Sequence, residues 1–405
     1  VPHTLDRPTD RAGVRRANLA LLVRLLRRHG AQSRAQLAVR AGLGKATVSN
    51  LVAELESRDL VRAGGRHEGG HGRPGQLVEL KPRTAWGIGL EVDTGHVGST
   101  VLDLSGTAAT RRRTALDVRA LGPERTLDEL AALADAAMSA VDSTVAGIAV
   151  AVPGLTDDAT VRAAPSLRWR DVDVAAGLAA RTGFPLDRIT AGHNAGLAAL
   201  AETDTGAARG CPDVVFLLGG PGVGAGLISG GALLRGAEAG HVSLEPAGHP
   251  CVCGRRGCWQ TAVGIDAFLR SFATPGDLVC DPALDLAQRT AVVRQRAQQG
   301  DRRVLGALAR LGAALGHGIA VFADLLGPRM VVLGGYFAAL REWLTEPVRI
   351  ELAARSVTAE AGGPRIVASR LGFSAVGTGA AQAAIRPLLD DPTPAPAGTP
   401  VSVEA

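Results

Sequence analysis

Apolar residues recur at i, i+3, i+4 and i+7 in Leu19, Leu22, Val23 and Leu26, the stripe of an amphipathic helix over roughly residues 14–29. Gly30 is placed to stop it, and Ser33 to cap a second helix carrying Leu37 and Ala38. Ala41-Gly42-Leu43-Gly44 then makes a tight connection. A third helix starting near Lys45 repeats the spacing with Val48, Leu51, Val52 and Leu55. Three short helices with a Gly-containing turn between the last two predict a helix-turn-helix. With the apolar stripe inward, Lys45, Thr47, Ser49 and Asn50 fall on or near the outer side. They are polar or cationic residues of the kind that meets base edges and phosphates in a major groove.

After Leu60-Val61-Arg62, residues 64–75 contain six glycines and lead into Gln76-Leu77-Val78-Glu79-Leu80. Strand, Gly-rich loop, strand predicts a wing, with Gly72-Arg73-Pro74 as a slender cationic tip able to enter a minor groove. His67 and His71 in that loop read as solvated. The charge supports the same partner. Residues 1–83 hold 16 Lys+Arg against 7 Asp+Glu, whereas the rest of the chain is mildly acidic and the whole carries +5. A concentrated basic segment is the footprint of a polyanion, here double-stranded DNA.

From Trp86 the pattern changes to strands. Trp86-Gly87-Ile88-Gly89-Leu90-Glu91-Val92 is followed by an Asp93-Thr94-Gly95 turn, and a second strand closes near Val101-Leu102-Asp103-Leu104. Val214-Val215-Phe216-Leu217-Leu218 later leads into Gly219-Gly220-Pro221-Gly222-Val223-Gly224-Ala225-Gly226. This repeated strand, turn, strand predicts a duplicated α/β unit. Such turns suit phosphate, but tight hairpins need glycine for their own geometry, so both readings stand. His241, Cys251, Cys253 and Cys258 offer four donors at a spacing that suits tetrahedral Zn²⁺. A site filled by four protein ligands has no place for a reactive water, which makes the expected zinc structural. Cys211 and Cys280 lack neighbouring donors and read as buried thiols.

The chain has 405 residues, 46% apolar and 20% charged, enough for two to four domains. Five cysteines, an odd number, argue against a disulfide scaffold and for a reducing compartment, the cytoplasm. No apolar run reaches the ~18 residues of a membrane span, and no signal-peptide pattern opens the sequence, so membrane and small secreted classes are excluded and no membrane partner is expected. Residues from Asp390, with Pro392-Thr393-Pro394-Ala395-Pro396, read as a disordered tail.

These residues together resemble the ROK family of repressors and sugar kinases. The resemblance runs through Arg15-Arg16-Ala17-Asn18, Ser33-Arg34-Ala35-Gln36-Leu37-Ala38, Thr47-Val48-Ser49 and Gly72-Arg73-Pro74. It continues in Val152-Pro153-Gly154, Ala164-Pro165-Ser166-Leu167-Arg168-Trp169, Cys251-Val252-Cys253-Gly254-Arg255-Arg256-Gly257-Cys258, Val332-Leu333-Gly334-Gly335 and Gly377-Thr378-Gly379-Ala380-Ala381. The helix-turn-helix in front marks the repressor branch. The implied fold is α/β: a winged helix-turn-helix (residues 1–83, the first ~12 flexible), then a two-lobed actin-like or hexokinase-like sensor and oligomerisation domain with structural zinc (84–389), then the tail (390–405). Arg34 and Gln36 join Lys45, Thr47, Ser49, Asn50, Gly72, Arg73 and Pro74 as expected DNA contacts.

The departures bear on function. ROK kinases carry a Glu-Asn-Asp-Ala-Asn run whose Asp is the general base; this chain reads Gly192-His193-Asn194-Ala195-Gly196, with an amide at the base position. The family's Asp-Ile-Gly-Gly-Thr appears as Glu91-Val92-Asp93-Thr94-Gly95, which sets a carboxylate where a polyphosphate would lie. Glu238-Ala239-Gly240-His241 keeps the sugar-contacting element, while Gln260 replaces a Glu. The expected ligand contacts are therefore His193, Asn194, Glu238, His241 and Gln260. The resulting reading is a non-enzymatic DNA-binding regulator, homodimeric or homotetrameric, that senses a sugar or sugar-derived ligand. Its rivals are a sugar kinase with an accessory DNA-binding head and a ligand-independent repressor with a vestigial sensor.

Overall fold

The structure, a computed structural model, describes residues 10–66 and 76–394. The first helix, Arg11–His29, begins earlier than its apolar stripe because the Asp10 carboxylate accepts from the Gly13 amide at 2.6 Å. Residues 10–12, expected to be flexible, are instead its cap and first turn. The second helix, Arg34–Ala41, opens with a capping box. Ser33 Oγ accepts from the Gln36 amide at 3.2 Å, and Gln36 Oε1 accepts from the Ser33 amide at 2.8 Å. Gly42, at φ 64, turns the chain into the third helix, Lys45–Ser57. The strands Val61–Arg66 and Gln76–Leu80 pair antiparallel, and Gln32–Ser33 adds to the second. Gly72, Arg73 and Pro74, with His67 and His71, lie outside the described residues.

Leu19, Leu22, Val23, Leu26, Leu37, Val48, Leu51, Val52 and Leu55 are all buried in one core, as their spacing predicts. That core does not close at residue 83: Leu104, Ile385 and Leu389 of the body belong to it too. Residues 390–393 are held there by polar contacts. Arg24 pairs with Asp390 at 3.1 Å, Arg16 lies 3.9 Å from Asp391, and the Arg58 guanidinium donates to the Thr393 carbonyl. Residues 390–394, read as the start of a disordered tail, are thus packed on the basic head; residues 395–405 lie outside the described part.

The body contains two five-stranded sheets of one topology. In the first, Ala108–Ala115, His96–Asp103 and Ala85–Asp93 form an antiparallel meander, and Thr144–Val152 and Ile189–His193 continue it in parallel. In the second, Ala232–Leu234, Val223–Ser229 and Val214–Gly219 form the meander, and Met330–Gly335 and Arg365–Ala368 follow in parallel. The predicted duplication is therefore visible strand by strand. Two helices, Asn194–Asp204 and Ala375–Asp390, pack against each other and against these sheets. Gly379 allows their contact, because a Cβ there would lie 2.1 Å from the Leu197 carbonyl oxygen.

The helix Arg302–Leu326 is long and apolar enough to cross a membrane by length and composition. Its Leu308, Leu311, Leu315 and Ile319 are nevertheless buried in the core of the second lobe, against the helix Arg341–Arg355. The two isolated cysteines depart from expectation. Cys211 is half-buried, donating its thiol to the Asp213 carbonyl at 3.5 Å, and Cys280 is exposed. On the short helix Leu278–Cys280, Val279 takes the inward position and leaves Cys280 outside.

Candidate sensor cleft, metal centre and head surface

The hairpin turns of the two sheets face each other across a cleft of ≈ 320 Å³. Asp93 ends the first turn's leading strand, and its Oδ1 accepts from the Thr94 amide at 2.6 Å. Its other oxygen points across the cleft, 4.0 Å from where a Cβ on Gly220 would stand. The carboxylate thus occupies the approach to the glycine turn, as the sequence implies. A group that sequence reading missed stands beside it: Glu91 Oε1 lies 3.2 Å from His96 Nε2, and Arg113 Nη2 lies 2.8 Å from the same nitrogen. Strand register brings these three together, opposing Glu91 to Gly98 and Gly98 to Arg113.

His193, Asn194, Glu238, His241 and Gln260 all line this cleft, so the structure brings together the five expected ligand contacts. Asn194 is the first residue of its helix and is buried, with Oδ1 accepting from the Ala195 amide at 2.7 Å. An amide takes up no proton at neutral pH. Burial pushes the neighbouring His193 down to about 4, which leaves it neutral and a weak proton acceptor. Burial pushes the Glu238 carboxyl up to about 7, and its Oε1 is enclosed without a hydrogen-bond partner among the described residues. An acid held near neutrality can donate to, or accept from, a hydroxyl.

The donor atoms of His241, Cys251, Cys253 and Cys258 all lie within 4.8 Å of one another. Cys253 Sγ to Cys258 Sγ is 3.6 Å, and Cys251 Sγ to His241 Nδ1 is 3.5 Å. Both sulfurs are too far apart for a disulfide, whose S–S bond is about 2.05 Å. Tetrahedral Zn²⁺, with Zn–S about 2.3 Å and Zn–N about 2.0–2.1 Å, requires edges of roughly 3.8 and 3.6 Å. The quartet fits that ion. Burial and the neighbouring thiols push the Cys258 thiol up to about 12; a divalent cation reverses that preference, since a coordinating thiol is deprotonated outright. Gln260 ties this centre to the cleft by donating Nε2 to Cys251 Sγ at 3.1 Å.

On the head, Lys45, Thr47, Ser49 and Asn50 are all exposed. Ser49 also donates to the Lys45 carbonyl at 3.0 Å. The other two expected contacts are partly engaged within the head: Arg34 pairs with Glu56 at 3.0 Å, and the Gln36 oxygen serves the capping box.

The sequence profile described as the ROK family matches residues 88–386. A xylose repressor of Bacillus subtilis (strain 168) is 26% identical over 391 residues, covering 94% of this chain and 98% of that protein. The DNA-binding transcriptional dual regulator NagC of Escherichia coli (strain K12) is 27% identical over 339 residues, 80% of this chain and 81% of its own length. Among solved structures, a ROK family transcriptional regulator described as a homolog of the E. coli MLC protein superposes with a TM-score of 0.72 at 22% identity, covering 93% of this chain and 97% of its own. A ROK family glucokinase from Streptomyces griseus, in complex with glucose and AMPPNP, gives 0.66 at 28% identity over 74% of this chain and 99% of its own. With the paired sheets, the facing turns and the His/Cys quartet in place, the chain belongs to the ROK family.

Proposed function

We propose that this chain is a DNA-binding transcriptional regulator of the repressor type, acting in the cytoplasm, whose kinase-like body senses a sugar or sugar-derived ligand. The observation that carries the reading is Asn194: a cleft of kinase ancestry presents an amide where phosphotransfer needs a carboxylate, behind a basic three-helix head. The exposed residues of the third helix would enter the major groove and Arg73 the minor groove. A relative named as a xylose repressor, matched over 94% of this chain, and one named as a DNA-binding transcriptional dual regulator, matched over 80%, support the same assignment. One small head makes few base contacts, so two heads on a two-fold homo-oligomer would read paired half-sites. Structural Zn²⁺ would be held by His241, Cys251, Cys253 and Cys258, fixing the position of His241 and Gln260 in the cleft.

Footprinting on the chain's own upstream DNA, repeated with sugars, tests the reading; protection that no sugar alters would favour a vestigial sensor. Arg73→Ala is expected to weaken operator binding roughly tenfold, most at A·T-rich flanks, within the ~1–3 kcal/mol of a base contact. Equal loss on all sequences would make Arg73 a phosphate contact. A coupled assay of ATP turnover over a panel of aldoses is expected to show no catalysis. Turnover that His193→Ala abolishes would instead establish the kinase.

A further inference from the structure

His193 and Glu238 line not one cavity but two. Behind them, away from the glycine turns, lies a second compartment of ≈ 210 Å³. Leu155, Leu197, Leu200 and Leu233 form much of its wall, while Asp157, Asp158 and Arg235, the last two paired at 2.6 Å, stand at its polar edge with Thr190. The floor is opened by Gly196, where a Cβ would already lie 3.3 Å from a Leu233 methyl. Set against the Glu-Asn-Asp-Ala-Asn run of ROK kinases, this chain has no side chain at the place of the last asparagine. The two spaces differ in character. The main cleft is lined by charges of both signs, Arg113 and Arg119 with Glu91 and Asp117. Asp93 stands at the glycine turn itself, set against an anionic substituent there, whereas the compartment is lined mainly by carbon. A ring hydroxyl at the shared wall would meet the partnerless Glu238 oxygen.

We propose that the effector is a glycoside whose sugar ring sits in the main cleft and whose apolar aglycone, an alkyl or aryl group, fills this second compartment. The proposal rests on the sugar-sensing reading and names its ligand class. A pocket of this kind rewards burial of carbon: each methylene removed from water strengthens binding severalfold, and together the two spaces fall within the ~300–1,000 Å³ of small-molecule sites.

The test is calorimetry on the full-length protein, purified without chelator, with methyl, butyl and phenyl glycosides of glucose and xylose and with glucose 6-phosphate. The expected result is that butyl or phenyl glycosides bind tenfold or more tighter than the methyl glycoside of the same sugar, with no gain from the phosphate. Leu233→Trp fills the compartment from a half-buried position, and Gly196→Ala narrows it at a helical site that favours alanine. Each is expected to remove that gain, with thermal melting reporting whether the variant is folded. Equal affinity for methyl and phenyl glycosides overturns the proposal while leaving sugar sensing intact. So does tighter binding of the phosphate, or a phenyl gain that survives both variants. Silence across every sugar overturns the sensing reading and the proposal together.

Discussion

Cys253→Ser protein is expected to purify with far less than one zinc per chain and to melt at least 5 °C below the parent. Structural zinc sites contribute about 10–16 kcal/mol of apparent binding energy. Loss of a small part is enough, because 1 kcal/mol moves the melting point of a large domain by roughly 2–4 °C. The quartet closes the segment between the helix Ala239–His241 and the helix Gln260–Val263, where Val242 and Val252 are exposed and do not pack in its place. Elemental analysis and a thermal melt decide the matter. Full metal content in the variant would refute the four-ligand set. Effector binding should weaken as well, because His241 and Gln260 belong to both the metal centre and the cleft.

The second large effect lies where head meets body. The Arg27 side chain is only 4% exposed, and among the described residues none of its three guanidinium nitrogens makes a hydrogen bond. Asp204, 3.4 Å away and 43% exposed, pairs with it. Burial holds the guanidinium below its usual range, opposed by the fields of Asp204 and Asp103. Asp204→Ala is expected to cost about 1–3 kcal/mol in denaturant unfolding, less than the ~3–5 kcal/mol for breaking a fully buried pair because solvent screens the carboxylate. Arg27→Met should be neutral or stabilising, since an apolar chain of similar length needs no counter-charge in that place. If Met destabilises as much as the Asp204 variant, the arginine is held by more than this pair.

The head was legible in the sequence because its information is local. A period of 3.6 residues, a capping serine and a glycine turn lie within a few positions of one another, and they set Leu19 to Leu55 inward. The zinc quartet was legible for the same reason, with three of its donors in one short run. The repeated strand, turn, strand pattern foretold the paired sheets. Glu91, His96 and Arg113 were not foreseen, because only the register of a three-strand meander aligns them. The pairing of Arg27 with Asp204 needs the whole body folded, and a run of prolines hid the fact that residues 390–394 carry the counter-charges for a basic helix. Cys280 was misjudged because being apolar on average does not say which residue of a single turn faces in.

The helix Asn194–Asp204 has its first turn in the cleft and its last residue on Arg27. Eleven residues make a strut of about 16 Å, too short to bend and hydrogen-bonded along its length. A tilt imposed at one tip therefore emerges at the other, as a see-saw carries motion across its pivot. The basic head stands on the far seat, so a displacement of this helix beside His193 would be felt at Arg27.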